Sequence, residues 1–303
     1  MALSGIEHSE SVDPIVERST WDVAVDLVGL TKPNVTFMNL VVVLGAYALA
    51  GGRADPAHLT LLCLGTLGIV GSAGAANMVM ERESDKLMAR TAGRALPRGR
   101  LSAVQAVAFS AALGVASIPL MLAVHWTVCV LGLAAWFGYV CVYTPMKRRH
   151  PSALIVGAVP GAVPPLMGWA AATGGIELGA VLLFGLLVAW QMAHFLGIAL
   201  YRVDDYRRAG LKTVAVVRGV ETAKREAMAW AVAQLGISLL LVATGLVGWL
   251  YGVVALALGG WMLALAVEGL KEESKQPWAR RFFLSSVIYL PVLIGAMALD
   301  AML

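Results

Sequence analysis

Three oxygen-bearing side chains, Asn77, Glu81 and Asp85, recur every fourth residue in the stretch NMVMERESDKLMARTAGRALPRGR, residues 77–100. On a helix each step of four drifts only about 40° around the axis, so the three lie on one stripe. Glu83 points elsewhere. Oxygen donors in such a column suit a hard divalent cation, and Mg²⁺ in particular takes one or two carboxylates and fills its shell with water and phosphate oxygens. Arg90, Arg94, Arg98 and Arg100 follow at once, and guanidinium forks match phosphate oxygens. Just upstream, LTLLCLGTLGIVGSAGAA carries no charge at all. Acids for a metal and cations for phosphate, crowded at the end of an apolar helix, point to a diphosphate with a lipid tail. A plainer alternative stands beside this one: basic loops flank membrane helices as a rule, and acids among them pair with neighbouring arginines.

The theme repeats in YRVDDYRRAG, where Asp204 and Asp205 sit among Arg202, Arg207 and Arg208. Adjacent residues stand about 100° apart on a helix, so one of the two acids, not both, faces a given ion. The connector YTPMKRRHP adds Tyr143, Lys147 and Arg148, and Lys32 in LTKPNV precedes the first apolar run. Each of these cations serves equally well as a helix-end anchor. His194, in VAWQMAHFLGIALYRVDDY, is a titratable group inside an apolar run, which makes it a functional candidate by default. On an uninterrupted helix Tyr201 and Asp205 fall within about 20° of His194, with Asp205 about 16 Å further along. The stretch VGAVPGAVPPLMGWAAATGG holds Pro160, Pro164 and Pro165. Broken backbone of that kind persists in a membrane where it is buried in protein or lines a cavity.

The elements that must position these residues follow from composition. Hydrophobic residues make up 59 % of the 303, and charged ones only 14 %; mean hydropathy is +0.77. A water-soluble fold cannot hide that much apolar surface. Runs at about 36–52, 57–80, 103–123, 126–144, 153–172, 178–200, 226–247, 249–267 and 282–301 approach the roughly 20 residues that span a bilayer as helix. The expected fold is an all-α polytopic membrane protein of nine transmembrane helices. Residues 1–30 form a cytoplasmic N-terminal segment and 31–303 the transmembrane domain. Lys and Arg concentrate in alternate connectors: with Arg18 and Lys32, those connectors hold 22 of the chain's 23, leaving Arg53 alone on the other side. Positive residues favour the cytoplasmic face, so the N-terminus and all the basic loops are expected there. The opening residues lack the pattern of a signal peptide. Cys63, Cys129 and Cys141 sit in apolar runs at unrelated spacings and read as small core hydrophobes. The second and sixth spans, each followed by an acid-and-base loop, occupy corresponding places four helices apart, as in a duplicated fold.

The stretches NMVMERESDKLMARTAGRALPRGRLS, YTPMKRRHPSALIVGAVPGAVPPLMGWAA and WQMAHFLGIALYRVDDYRRAGLK resemble the protoheme IX farnesyltransferase (heme O synthase) family, of the UbiA superfamily of intramembrane prenyltransferases. LTKPNVTFMNLVVVLGAYALAGG is similar to that family's first span, and the likeness covers about residues 28–220. It implies nine helices around a central cavity in the inner membrane, with the active site on the cytoplasmic side. It implies farnesyl transfer from farnesyl diphosphate to a vinyl group of heme b, with Mg²⁺. By position, Asn77, Glu81 and Asp85 match the Mg²⁺–diphosphate motif, and Asp204, Asp205 and Tyr206 the second acidic region. Arg90, Arg94, Lys147 and Arg148 match diphosphate-binding positions, with Lys32 and Tyr143 beside them; His194 and Tyr201 fall in the segment near heme. Heme A synthase or oxidase assembly factors are the implied partners, and no nucleic acid is expected. Two departures stand out. Glu81 and Glu83 occupy places where the family more usually has Asp, and the second region lacks a DxxxD spacing. The competing readings are a UbiA-type enzyme with an aromatic or chlorin acceptor, and a membrane transporter.

Overall fold

The computed structural model describes residues 19–88, 90–271 and 277–300. Every regular element among them is a helix. Nine crossings satisfy length and composition when α1 (Thr20–Leu30) and α2 (Pro33–Leu49), bent by 52° at their junction, count as one. The second and third are α3 (Pro56–Asp85) and α4 (Ala103–Val124). The fourth joins α5 (Trp126–Phe137), a π-helical segment (Gly138–Tyr143) and α6 (Thr144–Met146). The fifth joins α7 (Ala153–Gly161) and α8 (Val163–Thr173), and the sixth is α9 (Leu178–Tyr201). Two short helices, α10 (Val203–Arg208) and α11 (Val214–Val217), lead to α12 (Val220–Ala243), α13 (Trp249–Lys271) and α14 (Pro277–Asp300).

Local chemistry sets the ends. The Asp55 carboxylate accepts the Ala57 N–H at 3.0 Å, with Pro56 opening α3. Ser102 and Gln105 exchange side-chain and backbone bonds at the start of α4, and Ser19 and Asp22 do the same at α1. Such caps satisfy N–H groups that have no partner within the helix. Within the first crossing, α2 starts at Pro33 rather than 36, because Pro is suited to the first helical position, and ends before Gly51, whose φ is 75°. The seventh begins at Val220, not 226. Its charged first turns lie at the aqueous end, where Lys224 bonds Glu221 at 2.9 Å. Residues 20–30, expected within an N-terminal segment set apart from the membrane domain, fold as α1 and reach the loop after α3 through an Asp26–Arg100 pair at 3.0 Å. Arg18 and Lys275, which the charge count used, lie outside the described residues.

The packing forms two groups. On one side α3 lies along α4, and α8 packs on α2 and α5 around Val43, Leu62, Met121 and Met167. On the other, α9, α12, α13 and α14 surround Leu196, Tyr251, Trp278, Phe282 and Tyr289. Large apolar side chains such as Val104, Phe137, Val253 and Leu256 face outward, as lipid contact requires. None of the described cysteines forms a disulfide. Cys129 is buried, but Cys141 is exposed on the outward side of the fourth crossing, contrary to its expected core position.

Lipid tails are as apolar as Leu, so helices in a membrane associate by close packing, and small residues let them approach. At Gly168 a Cβ would stand 2.0 Å from the Val43 carbonyl oxygen. Gly168→Ala is therefore expected to push α8 off α2 and cost about 1–3 kcal/mol. A thermal melt of the purified protein in detergent checks this, and an unchanged midpoint refutes it.

Candidate functional site

The residues of the α3 stripe do lie together, and each meets a partner from a different segment. Lys32 Nζ donates to Asn77 Oδ1 at 2.5 Å, and Asn77 Nδ2 donates to Thr144 Oγ1 at 3.0 Å. Lys147 Nζ donates to Glu81 Oε1 at 2.9 Å. Arg94 donates to Asp85 Oδ2 at 2.7 Å. Asn77 and Asp85 are 0 % and 1 % exposed. The result is three rungs, amide or carboxylate to cation, climbing the last turns of α3. Glu83 lies off this column, exposed and paired with Arg82 and Lys86.

Several local devices hold the rungs. Lys32 has φ 54°, the one positive value for a non-glycine among the described residues. That conformation costs about 1–2 kcal/mol for an L-residue. The following Pro33 also disfavours a helical Lys32. The turn is pressed onto α3 at Gly74, where a Cβ would stand 3.2 Å from the carbonyl oxygens of both Leu30 and Thr31. Close approach at Gly74 thus brings the Lys32 ammonium to Asn77, one turn further on. The π-helical segment contributes two phenols. Tyr139 and Tyr143 have ring centroids 5.2 Å apart, Lys32 Nζ lies 3.4 Å from the Tyr139 hydroxyl, and Lys147 Nζ sits 5.0 Å from the Tyr143 ring. Burial works against the Lys147 ammonium, but its phenol neighbours and Glu81 outweigh it and hold its pKa above the ordinary value.

The loop after α9 joins this face. The Lys212 N–H reaches the Lys147 carbonyl at 3.4 Å. Tyr206 is half-buried; burial pushes its phenol above its usual pKa against the pull of the nearby Arg90, Lys147 and Arg202 charges. Arg90 and Arg148 are exposed and have no carboxylate partner among the described residues. Asp204 and Asp205 are instead engaged on their own short helix, Asp204 with Arg207 at 2.8 Å and Asp205 with Arg202 at 3.3 Å and with Arg208. Asp205 does not continue the His194 face: Arg202, at φ −112° and ψ 26°, interrupts the helix before it. Tyr201 does continue it. His194 and Tyr201 both lie against Phe283, with centroids at 5.0 and 6.5 Å. The His194 ring also stacks on Trp190 at 5.1 Å, and its Nδ1 is 2.9 Å from Ser286 Oγ.

Beyond His194, a small apolar gap of about 40 Å³ lies between α2, α8, α9 and α14, lined by Val42, Pro165, Leu187, Leu290 and Ile294 among others. Val42 lies ten residues from Lys32 on α2, about 15 Å along the axis. One helix thus carries a cation at the polar end and hydrocarbon contacts at the other. Tyr139, Thr144, Trp190, Phe283 and Ser286 are the site residues that sequence reasoning missed. Tyr139 was within reach, four residues before Tyr143; nothing marked the others.

Among the described residues no three of His, Cys, Asp and Glu gather into a metal-binding group. The column still fits Mg²⁺. Glu81 and Asp85 supply two carboxylates and Asn77 an amide oxygen, and this ion characteristically takes one or two carboxylates and completes its shell with phosphate and water.

The UbiA prenyltransferase family model matches residues 39–287. A protoheme IX farnesyltransferase of Anaeromyxobacter sp. (strain Fw109-5) is 43 % identical over 93 % of this chain and 96 % of its own length. One from Myxococcus xanthus (strain DK1622) is 40 % identical over 92 % and 95 %. Among solved structures, a digeranylgeranylglyceryl phosphate synthase aligns over 92 % of this chain and 98 % of its own, with TM-score 0.78 and 15 % identity. A UbiA homolog from Archaeoglobus fulgidus bound to GPP and Mg²⁺ aligns over 90 % and 99 %, with TM-score 0.63 and 14 % identity. The structural likenesses establish the fold.

The Asp85–Arg94 rung makes a direct prediction. Asp85 is fully enclosed while Arg94 keeps about a third of its side chain exposed, so the coupling falls below that of a wholly buried pair. A double-mutant cycle of Asp85→Asn and Arg94→Gln, read by thermal stability, is expected to give about 1–3 kcal/mol. Additive effects would dissolve the rung.

Proposed function

We infer the reaction from one premise, that the chain belongs to the UbiA prenyltransferase family, and one observation, the three rungs at the end of α3. The chain transfers the farnesyl group of farnesyl diphosphate to a vinyl group of protoheme IX; water adds to the acceptor, and heme O and diphosphate leave. It is an integral membrane protein. The concentration of Lys and Arg in alternate loops supports placing the site at the cytoplasmic face of the inner membrane.

The rungs are a resting arrangement. Each cation that neutralises the column is long and flexible enough to exchange its partner for a phosphate oxygen, which frees Glu81, Asp85 and Asn77 for a divalent ion. Mg²⁺, when bound, neutralises charge that builds on the departing diphosphate. Lys147, Arg94 and Lys32 add preorganised positive charge on the same oxygens, where a water-poor setting makes such interactions strong. Arg90 and Arg148 stand at the rim, unpaired, to meet the incoming head group. Asp204 or Asp205 joins the metal site only by leaving its arginine partners. Tyr206 stands within the electrostatic reach of Arg90 and Lys147.

The allylic chain lies along α2 among apolar side chains, and exclusion of water from that hydrocarbon setting protects the carbocation until the vinyl group has attacked. The C–O bond of farnesyl diphosphate breaks, the vinyl π electrons form the new C–C bond, and water closes the resulting cation with loss of a proton. No side chain needs to form a covalent bond. His194 and Tyr201, on the face shared with Phe283, flank the acceptor.

Purified protein incubated with heme b, labelled farnesyl diphosphate and Mg²⁺ is expected to yield labelled heme. Label on an aromatic or chlorin acceptor alone, or uptake into vesicles without a new bond, overturns the assignment. Chelation should abolish turnover and added Mg²⁺ restore it. Asp85→Ala is expected to lower kcat by about 10²-fold or more, and near-normal turnover at saturating Mg²⁺ would remove Asp85 from the metal site.

A further inference from the structure

Ser286 has one hydroxyl proton and two neighbours able to accept it. Its Oγ is 2.6 Å from the Phe283 carbonyl oxygen, one helical turn back on α14, and 2.9 Å from His194 Nδ1 on α9. A serine hydroxyl donates once and accepts with its remaining lone pairs. Were the proton directed at Nδ1, two oxygens would face each other at 2.6 Å with no hydrogen between them. Directed at the carbonyl, it leaves Oγ free to accept, and the hydrogen in the 2.9 Å contact must then come from Nδ1. Neutral imidazole carries one N–H. Nε2 is therefore bare.

The surroundings agree with a neutral ring held in one pose. His194 stacks on Trp190 at 5.1 Å and touches Phe283 at 5.0 Å and Phe195 at 5.8 Å. No carboxylate pairs with it among the described residues. Trp190 Nε1 in turn donates to the Ser286 carbonyl at 2.7 Å, so the residue that orients the ring is itself fixed to the helix that carries it. Nε2 has no protein partner among the described residues, and His194 is not fully buried.

We propose that Ser286 is a positioning residue that holds His194 as its Nδ1–H tautomer, so that the Nε2 lone pair is offered to the iron of the heme acceptor. The iron half of this statement rests on the proposed reaction; the tautomer half does not. Hydrogen bonding at the second nitrogen is the usual device that orients a metal-binding imidazole and raises its basicity. It gives the acceptor a fixed point about which its vinyl edge can be presented.

Two measurements separate the halves. Full-length protein labelled with ¹⁵N-histidine, reconstituted in lipid without heme, is read by solid-state NMR; His194→Gln identifies the His194 signals among the chain's five histidines. A protonated Nδ1 and an unprotonated Nε2 are expected, shifting toward a mixture in Ser286→Ala. A protonated Nε2 in the unaltered protein overturns the tautomer whether or not Ser286→Ala folds. Titration with ferric heme b should then give an imidazole-ligated spectrum, lost in His194→Ala. In Ser286→Ala that spectrum should persist at about tenfold or more weaker affinity, with KM for farnesyl diphosphate unchanged. Heme bound without imidazole overturns the iron contact alone. Failure of the unaltered protein to farnesylate heme b instead removes the proposed reaction and leaves the NMR result standing.

Discussion

A carboxylate sealed inside an apolar bundle has to be neutralised, and that requirement organises this protein. Asp85, Glu81 and Asn77 are carried into the bundle's polar end by α3, and the cations that meet them come from three other places in the chain. Arg94 arrives from the following loop, Lys147 from the end of the fourth crossing and Lys32 from the kink ahead of α2. The left-handed backbone at Lys32, the bare flank of Gly74 and the loop contact between Lys212 and Lys147 all converge on this one meeting point.

Such pairs hold the fold together less than they ready it. Desolvation of two ions offsets most of their mutual attraction, so a buried pair adds little net stability, while an unmatched buried charge is severe. A site built this way tolerates an exchange of partners and resists an empty position. A diphosphate–metal complex brings both signs of charge at once. It offers oxygens to the cations and a cation to the carboxylates, so Glu81 and Asp85 exchange one counter-charge for another.

The crossings and the polar column were legible because both follow from coarse regularities: runs without charge, alternation of basic loops, and a repeat of four. What escaped the sequence depended on single torsions or on contacts between distant segments. Extrapolating one helix from His194 to Asp205 failed at Arg202, where two backbone angles end the helix after Tyr201. The helical nature of residues 20–30 turns on a capping box and a tertiary ion pair rather than on a long apolar run. Cys141 looked like core because it stands in an apolar stretch, yet hydropathy does not distinguish a lipid-facing side chain from a protein-facing one. Ser286 is an unremarkable letter until α14 is laid beside α9.

The wider winding of Gly138–Tyr143 has an effect beyond its own hydrogen bonds. Residues four apart on an ordinary helix creep sideways, whereas i→i+5 winding accommodates an extra residue in the turn and straightens their line. The segment accordingly sets Tyr143 against Lys147, and gears this crossing to α3 at two points, Thr144 on Asn77 and Lys147 on Glu81. Deleting one residue from this segment would leave a hydropathy profile all but unaltered and slip the gear by a notch.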